Sequence, residues 1–368
     1  MTIRENTLAI LNYENYDALP IVQFGYWKET LQKWADEGHI PQNENFNDWN
    51  VWQAVAVEQG FDFEWGAGFS FRADLFPAFD WKLISEAADG TKTLQNHEGV
   101  TVLQKSDAGS IPAEVDHLLK DRASWEKHYL PRLQYTSERI NFETLSQLSA
   151  PNHREMPAGL FCGSLFGTIR NWLGVTGASY LYADDEDLYA EIIDTVADLV
   201  YRATEDTLKT GVQFDYAHYW EDICFKNGPL VIPSVFEEKV GPHYKRMSEL
   251  LNKYGVNIIS LDCDGCIDTL LPIWLKNGVN TMFPIEVGTW KASISPWREQ
   301  YGRDLRGVGG MNKNVFAQDR AAIDAEIERL KPLIDLGGYI PCPDHRIPPG
   351  AEWDNVSYYT ERLRAEFC

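Results

Sequence analysis

The chain has 368 residues and a formal net charge of −22, because 55 acidic side chains outnumber 33 basic ones. Its 44% hydrophobic and 24% charged residues are typical of a globular protein, and 13 Trp, 17 Tyr and 17 Phe argue against disorder. The acidic charge repels phosphate backbones and anionic lipid surfaces, and no apolar run approaches the ~18 residues of a membrane span. We therefore expect neither a nucleic-acid nor a membrane partner.

The first six residues lack the basic and apolar regions of an export signal. Six cysteines in a chain of this length are too few for a disulfide scaffold. We therefore expect a cytoplasmic protein with reduced thiols.

Residues 1 to about 155 are irregular and rich in aromatic side chains, whereas residues 156–368 alternate short apolar runs with amphipathic helical patterns. The apolar runs predict strands at 159–163, 212–216, 256–261, 281–285, 305–309 and 338–341. Strands that alternate with helices indicate a parallel sheet, and six such units favour a (β/α)8 barrel. The sequence thus predicts one α/β TIM-barrel domain with an elaborated N-terminal segment. An open doubly wound sheet is the alternative.

Polar residues follow most of the predicted strands. They lie at 215–222, 262–266, 286, 311–313 and 344–346. In (β/α)8 barrels the active site forms on the loops at the carboxyl ends of the strands. Polar residues are ordinary in any one loop, but their recurrence after successive strands points to a shared site.

The densest polar cluster is Asp262-Cys263-Asp264-Gly265-Cys266. Cys263 and Cys266 have the spacing of a zinc or redox pair, but no second pair with this spacing occurs. Asp262 and Asp264 could instead both face a metal ion or a substrate. A solvated turn at the end of a strand is the alternative.

Three further residues are candidates for acid–base or metal chemistry. His345 follows the last predicted strand, where it could bind a metal ion, carry a proton or simply pair with its neighbours. Glu286 follows an apolar strand directly, so burial could raise its pKa and make it an acid. Glu221 ends an aromatic stretch and is a second candidate acid.

Several segments together resemble the uroporphyrinogen decarboxylase superfamily, which also includes cobamide-dependent methyltransferases. The segments that carry the resemblance lie at 19–30, 34–38, 125–127, 170–174, 220–222, 226–230, 271–280, 284–286, 337–341 and 344–349. The resemblance rests on the order and spacing of these segments and not on any single segment. It implies a (β/α)8 barrel over most of the chain, in agreement with the strand and helix pattern.

Within this superfamily the chain resembles the methyltransferase branch more than the decarboxylase. The decarboxylase carries an arginine-rich N-terminal signature for its many-carboxylate substrate, and the matching stretch from Gln23 to Glu29 has no arginine. The methyltransferases bind zinc through a His-x-Cys pair and a later Cys. Those positions fall near Asp262, Asp264 and His345, so the resemblance implies zinc held by oxygen and nitrogen donors.

The resemblance thus implies a methyltransferase that moves a methyl group from a methoxylated substrate, for which we expect an aromatic methyl ether, to the cobalt of a separate corrinoid protein. The chain lacks the Asp-x-His-x-x-Gly motif of cobalamin-binding modules, so the corrinoid must come from that partner. The zinc ion, or a protonated Glu221 or Glu286, would activate the leaving oxygen. Aromatic side chains that could form the substrate pocket are Tyr26, Trp27, Tyr216, Tyr219 and Trp220.

Two other functions fit the same pattern. One is decarboxylation of a different substrate, in which Asp262 or Asp264 would stabilise a protonated ring. The other is a corrinoid-binding role without catalysis. The sequence also leaves a homodimer open.

Overall fold

The computed structural model describes residues 1–42, 44–66, 68–105, 112–148, 150 and 153–367. Within this part of the chain, no helix has the length and hydropathy needed to span a membrane.

The strands are short, and three of those described after residue 155, at 259–262, 281–283 and 339–343, are buried along their whole length. In chain order they are β1 (Val22–Gln23), β2 (Phe63–Glu64), β3 (Gly68–Ser70), β4 (Lys82–Glu86), β5 (Lys92–Gln95), β6 (Val100–Gln104), β7 (Ala113–His117), β8 (Gly159–Phe161), β9 (Tyr216–Trp220), β10 (Cys224–Phe225), β11 (Gly228–Pro229), β12 (Ile259–Asp262), β13 (Thr281–Phe283), β14 (Arg306–Met311) and β15 (Tyr339–Pro343).

The α-helices separate these strands along the second half of the chain. They are α1 (Ile3–Leu11), α2 (Lys28–Asp36), α3 (Trp49–Glu58), α4 (Arg122–Ser124), α5 (Phe142–Ser146), α6 (Gly167–Asp184), α7 (Glu186–Lys209), α8 (Pro233–Lys239), α9 (Gly241–Lys253), α10 (Leu271–Lys276), α11 (Val287–Trp290), α12 (Ile294–Tyr301), α13 (Arg320–Ile334) and α14 (Trp353–Phe367). The longest, α7, buries Leu188, Ile192, Val196 and Val200, which recur at helical spacing on one face.

Seven strands form one parallel sheet in the order β15-β14-β13-β12-β9-β8-β3. Strands β1 and β2 form a separate parallel pair. A bridge between Tyr26 and Ile347 joins the chain just after β1 to the chain just after β15. The predicted parallel α/β architecture is confirmed, but the ladders among the described residues do not close the sheet into a ring.

One predicted strand is displaced. The sequence places a strand at 212–216, whereas β9 begins at Tyr216 and ends at Trp220. Asp215 therefore lies at the amino end of β9, where its carboxylate accepts hydrogen bonds from Arg4 at 2.7 Å and from the Ala158 N–H at 2.8 Å. This ion pair fixes the start of the strand, so Asp215 lies at the end opposite to the loops that follow the strands.

The N-terminal segment is more regular than the sequence predicts. It contributes β1, β2 and β3 and also a four-stranded antiparallel sheet in the order β4-β5-β6-β7. The strands of this antiparallel sheet are largely exposed, so the alternating apolar pattern that marks a half-buried strand is weak in them.

Candidate active site at the carboxyl ends of β9 and β12

Three aspartates meet where two neighbouring strands end. Strands β9 and β12 pair in parallel, with Trp220 opposite Asp262, so the residues that follow them emerge side by side. Asp222 follows β9, Asp262 ends β12 and Asp264 lies in the next loop. One carboxylate oxygen from each residue lies within 4.8 Å of the others. We call these three residues the acidic cluster.

Backbone hydrogen bonds hold the acidic cluster together. The Asp264 N–H donates to Oδ1 of Asp222 at 2.9 Å, and the Glu221 N–H donates to the Asp262 carbonyl at 2.8 Å. Asp222 has a φ of 44°, in the left-handed region that Asp tolerates better than most residues. The Arg170 guanidinium donates to its carbonyl at 2.9 Å. These hydrogen bonds hold the backbone of the two loops and the carboxylate of Asp222 in place.

Glu286 borders the acidic cluster from the loop after β13. Its carboxylate accepts hydrogen bonds from the Gly265 N–H at 2.6 Å and from the Thr289 hydroxyl at 2.7 Å. Burial, and next the charge of Asp264, raises the pKa of Glu286. This environment suits the acid role that the sequence proposes for it.

His345 reaches the acidic cluster from the loop after β15. Its Nε2 lies 3.2 Å from Oδ2 of Asp264, and its ring stacks on Trp27 with centroids 5.6 Å apart. The preceding residue, Asp344, is fully buried, accepts from the Gly288 N–H at 2.7 Å and pairs with Lys313 at 3.1 Å. These contacts fix the loop and so the direction of the imidazole.

The acidic cluster concentrates negative charge away from water. Burial, and next the charge of Asp264, raises the pKa of Asp222 to about 6. Burial and the two neighbouring aspartates raise the pKa of Asp262 well above its ordinary value. Oδ1 of Asp264 is buried and has no hydrogen-bond partner among the described residues. Such a cluster is stabilised either by bound protons or by a cation.

The donor set fits a divalent metal ion. Zinc accepts carboxylate oxygens at about 2.0–2.2 Å and imidazole nitrogens at about 2.0–2.1 Å, so two ligands of one ion lie at most about 4.4 Å apart. The three carboxylate oxygens of the acidic cluster lie within 4.8 Å of one another, which is close to this spacing. Oδ1 of Asp264, which has no hydrogen-bond partner among the described residues, offers a free lone pair. Two of the predicted ligands, Asp262 and Asp264, lie together with Asp222 in the acidic cluster, and the third, His345, contacts Asp264.

Glu221, the other predicted acid, lies apart from the acidic cluster. It is fully buried, and its carboxylate accepts hydrogen bonds from the Ser164 hydroxyl, from three consecutive N–H groups at 165–167 where α6 begins, and from the Tyr244 hydroxyl. Burial raises its pKa, and these donors oppose that effect. Glu221 therefore anchors α6 to the end of β9, and the acid role stays a prediction.

A cleft of about 530 Å³ opens beside the acidic cluster. Its aromatic lining consists of Phe24, Trp49, Trp65, Phe161 and Trp220, and its polar lining of Glu64, Ser70, His218 and Asp262. We call it the aromatic cleft. Asp262 belongs to both features, and Phe24 lies against the ring of His345 with centroids 5.3 Å apart. A ligand in this cleft would therefore contact the acidic cluster.

The predicted substrate-binding aromatics divide into two groups. Trp220 lines the aromatic cleft, and Trp27 stacks on His345 at its edge. Tyr26 and Tyr219 are fully buried core residues, packed edge-on against Trp34 and Tyr244 respectively. Tyr216 is also buried, and it stacks on Trp65 with centroids 4.3 Å apart, which places it behind the lining of the cleft. These three tyrosines shape the core instead of forming the pocket surface.

Three polar residues of the site, Asp222, His218 and Glu64, were not selected as candidate site residues from the sequence. The first two lie in the polar segment at 215–222, but the misplaced strand obscured which of its side chains face the site. With β9 at Tyr216–Trp220, the two-residue period puts His218 and Trp220 on one side and Tyr219 on the other. Glu64 ends the short strand β2, which the sequence pattern does not reveal.

No protein-family model and no curated protein matches the chain. Among solved structures, it is similar to a methyltransferase from Methanosarcina mazei, with 14% identity, a TM-score of 0.60 and coverage of 100% of this chain and 99% of that one. A weaker likeness, with 14% identity and a TM-score of 0.44, is to a structure from Listeria monocytogenes titled as a vitamin-B12-independent methionine synthase; 95% of this chain and 97% of that one are covered. The first likeness establishes a shared fold.

Proposed function

We propose that the protein is a methyltransferase that removes a methyl group from a methoxylated aromatic compound and delivers it to the cobalt of a corrinoid carried by a separate protein. The observation that carries the proposal is the junction of the acidic cluster and His345 with the aromatic cleft. The fold shared with the Methanosarcina mazei methyltransferase is compatible with it, although one fold hosts many activities. We also infer that β1 and β2 close the seven-stranded sheet into a (β/α)8 barrel between β15 and β3, with β2 and β3 counted as one strand.

The cleft residues would bind and orient the substrate. The rings of Trp65, Phe161 and Trp220 offer flat apolar surfaces for an aromatic ring. A ring held there has its oxygen substituent near Asp262, which lines the cleft and also belongs to the acidic cluster. Methyl transfer further requires that the methyl carbon stay accessible to the cobalt of a docked partner.

Ether cleavage requires help for the departing oxygen. The bond between the methyl carbon and oxygen breaks, its electron pair stays on oxygen, and the reduced cobalt supplies the pair for the new bond to carbon. A zinc ion held by Asp222, Asp262, Asp264 and His345 would supply Lewis-acid stabilisation of that oxygen. Glu286, whose pKa is raised by burial, would be the acid that donates a proton to the oxygen.

The test measures metal content and methyl transfer together. Wild-type protein equilibrated with zinc is compared with Asp264→Asn, His345→Gln and the control Asp304→Asn, an exposed carboxylate before β14. Each is mixed with guaiacol (2-methoxyphenol) and cob(I)alamin, or with corrinoid protein from the source organism. We expect near-stoichiometric zinc, and catechol with methylcobalamin as products, in wild type and control only. Wild type that binds no zinc and forms no catechol with either acceptor would refute the proposal.

One observation favours decarboxylation as a second candidate. Asp262 is the member of the acidic cluster that lines the cleft, and burial raises its pKa well above the ordinary value, which favours its protonated form. When a carbon–carbon bond to a carboxylate breaks, the electron pair stays on carbon and Asp262 could protonate it. Release of carbon dioxide from aromatic or pyrrole carboxylic acids, without corrinoid and lost in Asp262→Asn, would favour this function.

A further inference from the structure

His218 lies in the aromatic cleft and has one nitrogen held and one nitrogen open. It is in the middle of β9 and only 4% exposed, and its Nδ1 lies 3.1 Å from Oγ of Ser260 on the neighbouring strand β12. Among the described residues, Nε2 has no hydrogen-bond partner. The ring itself lines the cleft.

The hydrogen-bond pattern around Ser260 decides which nitrogen carries the proton. The indole N–H of Trp65 can only donate, and it donates to Oγ of Ser260 at 3.0 Å. Ser260 is fully buried, and Nδ1 of His218 is the acceptor within reach of its hydroxyl among the described residues. If Nδ1 accepts this hydrogen, the neutral ring carries its proton on Nε2. The chain of hydrogen bonds from Trp65 through Ser260 to His218 therefore directs the Nε2–H of His218 into the cleft.

A glycine keeps this edge of the ring accessible. Gly66 lines the cleft with a φ of 90°, and a Cβ placed on it would lie 2.8 Å from Nε2 of His218. Any side chain at position 66 would thus cover the nitrogen. Burial of the ring keeps it neutral, because it lowers the pKa of His218 to about 3.

We propose that His218 is a substrate-binding residue whose Nε2–H donates a hydrogen bond to an oxygen substituent on an aromatic ring held in the cleft, with Ser260 and Trp65 as positioning residues. This inference rests on the proposed function for the substrate class and assigns the side chain that recognises the oxygen. A neutral N–H donor among apolar rings favours ligands that carry a hydrogen-bond acceptor, since a bound ring without oxygen would leave the buried N–H unpaired.

Binding without turnover tests the role of His218. Calorimetric titration compares guaiacol with toluene, which keeps the ring and lacks oxygen, on wild type, His218→Phe and His218→Gln. We expect His218→Phe to weaken guaiacol binding about tenfold and to strengthen toluene binding, because the variant has no buried N–H that toluene would leave unpaired. His218→Gln, whose amide N–H can replace Nε2–H, should recover part of the loss. The exposed His97→Gln is the matched control and should bind like wild type.

Nitrogen-15 NMR of histidine-labelled protein gives a readout that does not depend on affinity. The His218 signals should show a protonated Nε2 and an unprotonated Nδ1, and guaiacol should shift Nε2 while toluene does not. Ser260→Ala should weaken this preference for one tautomer. Protonation on Nδ1, or equal guaiacol affinity in folded His218→Phe and wild type, would overturn the inference. Because neither measurement uses corrinoid or zinc, guaiacol binding through His218 without methyl transfer would contradict the reaction alone.

Discussion

Nε2 of His345 lies 3.2 Å from Oδ2 of Asp264, and this contact joins the loop after β15 to the loop after β12. The two residues are 81 positions apart in the chain, and their partners differ. Asp264 lies among carboxylates, whereas His345 lies against the rings of Phe24 and Trp27. The contact therefore places a nitrogen donor between an acidic cluster and an aromatic cleft.

Zinc should stabilise the folded protein through this pair. An ion that binds only the folded state adds about 2.7 kcal/mol to the free energy of unfolding at a concentration one hundred times its Kd. We expect zinc to raise the Tm of wild type and of Asp304→Asn, and to have little effect on His345→Gln or Asp264→Asn. Differential scanning calorimetry with and without zinc measures the shift. An equal rise in all four proteins would mean that zinc binds elsewhere.

Substitution of Glu221 should lower the free energy of unfolding, and it should not remove an acid or base of the reaction. Gln cannot accept hydrogen bonds with both side-chain termini, so Glu221→Gln leaves buried N–H donors near residues 165–167 unpaired. Each unpaired donor costs about 1–3 kcal/mol. Urea unfolding should show this loss in Glu221→Gln and a smaller one in Glu286→Gln. A Glu221→Gln protein as stable as wild type but inactive would support the acid role instead.

The ion pair between Arg4 and Asp215 should matter for stability alone. Asp215 has 4% side-chain exposure and lies at the amino end of β9, opposite to the acidic cluster. Removing one partner of a buried pair costs about 3–5 kcal/mol, and Asp215→Asn should approach that loss. Urea unfolding measures the loss, and zinc content at 25 °C should stay at the wild-type level. Reduced zinc content in a folded variant would contradict this separation.

Acid should destabilise the protein partly through His218. Its folded pKa of about 3 lies below the value of 6.5 for an exposed histidine, because burial disfavours the charged ring. Between these pH values the unfolded chain binds a proton that the folded chain does not, so stability falls by about 1.4 kcal/mol per pH unit as pH falls. Above pH 6.5 the ring of His218 is neutral in both the folded and the unfolded chain, so none of this stability is lost.

Urea unfolding at pH 6.5, 5.5 and 4.5 measures this dependence. The free energy of unfolding should fall less steeply with acid in His218→Phe than in wild type or in His97→Gln. Parallel slopes in the three proteins would show that the ring of His218 is hydrated in the folded state.

The carboxyl-end location of Asp262, Asp264, Glu286 and His345 was predictable from sequence, because each follows a short apolar run that reads as a buried strand. Parallel strands end at the same edge, so their following residues converge whatever the details of packing. The helical spacing in α7, α9 and α13 was equally readable, since amphipathic periodicity is a local property.

Side-chain direction around β9 was not predictable in this way. Shifting a strand by a few residues reassigns which side chains face inward, and the stretch from Val212 to Asp222 contains apolar and aromatic residues throughout. The ion pair of Asp215 with Arg4, 211 positions away, decides where the strand begins. That choice brings Asp222 into the acidic cluster and turns Glu221 towards α6.

The sequence by itself determined the alternation of strands and helices, the acidic character and the set of loops that carry polar residues. These follow from local periodicity and composition. Only the tertiary structure decided which of those residues meet, because contacts such as His345 with Asp264 and His218 with Ser260 depend on strand register and on the packing of distant segments. Those long-range contacts decide that the acidic cluster and His218 lie at the candidate site, whereas Glu221 and the buried tyrosines lie in the core.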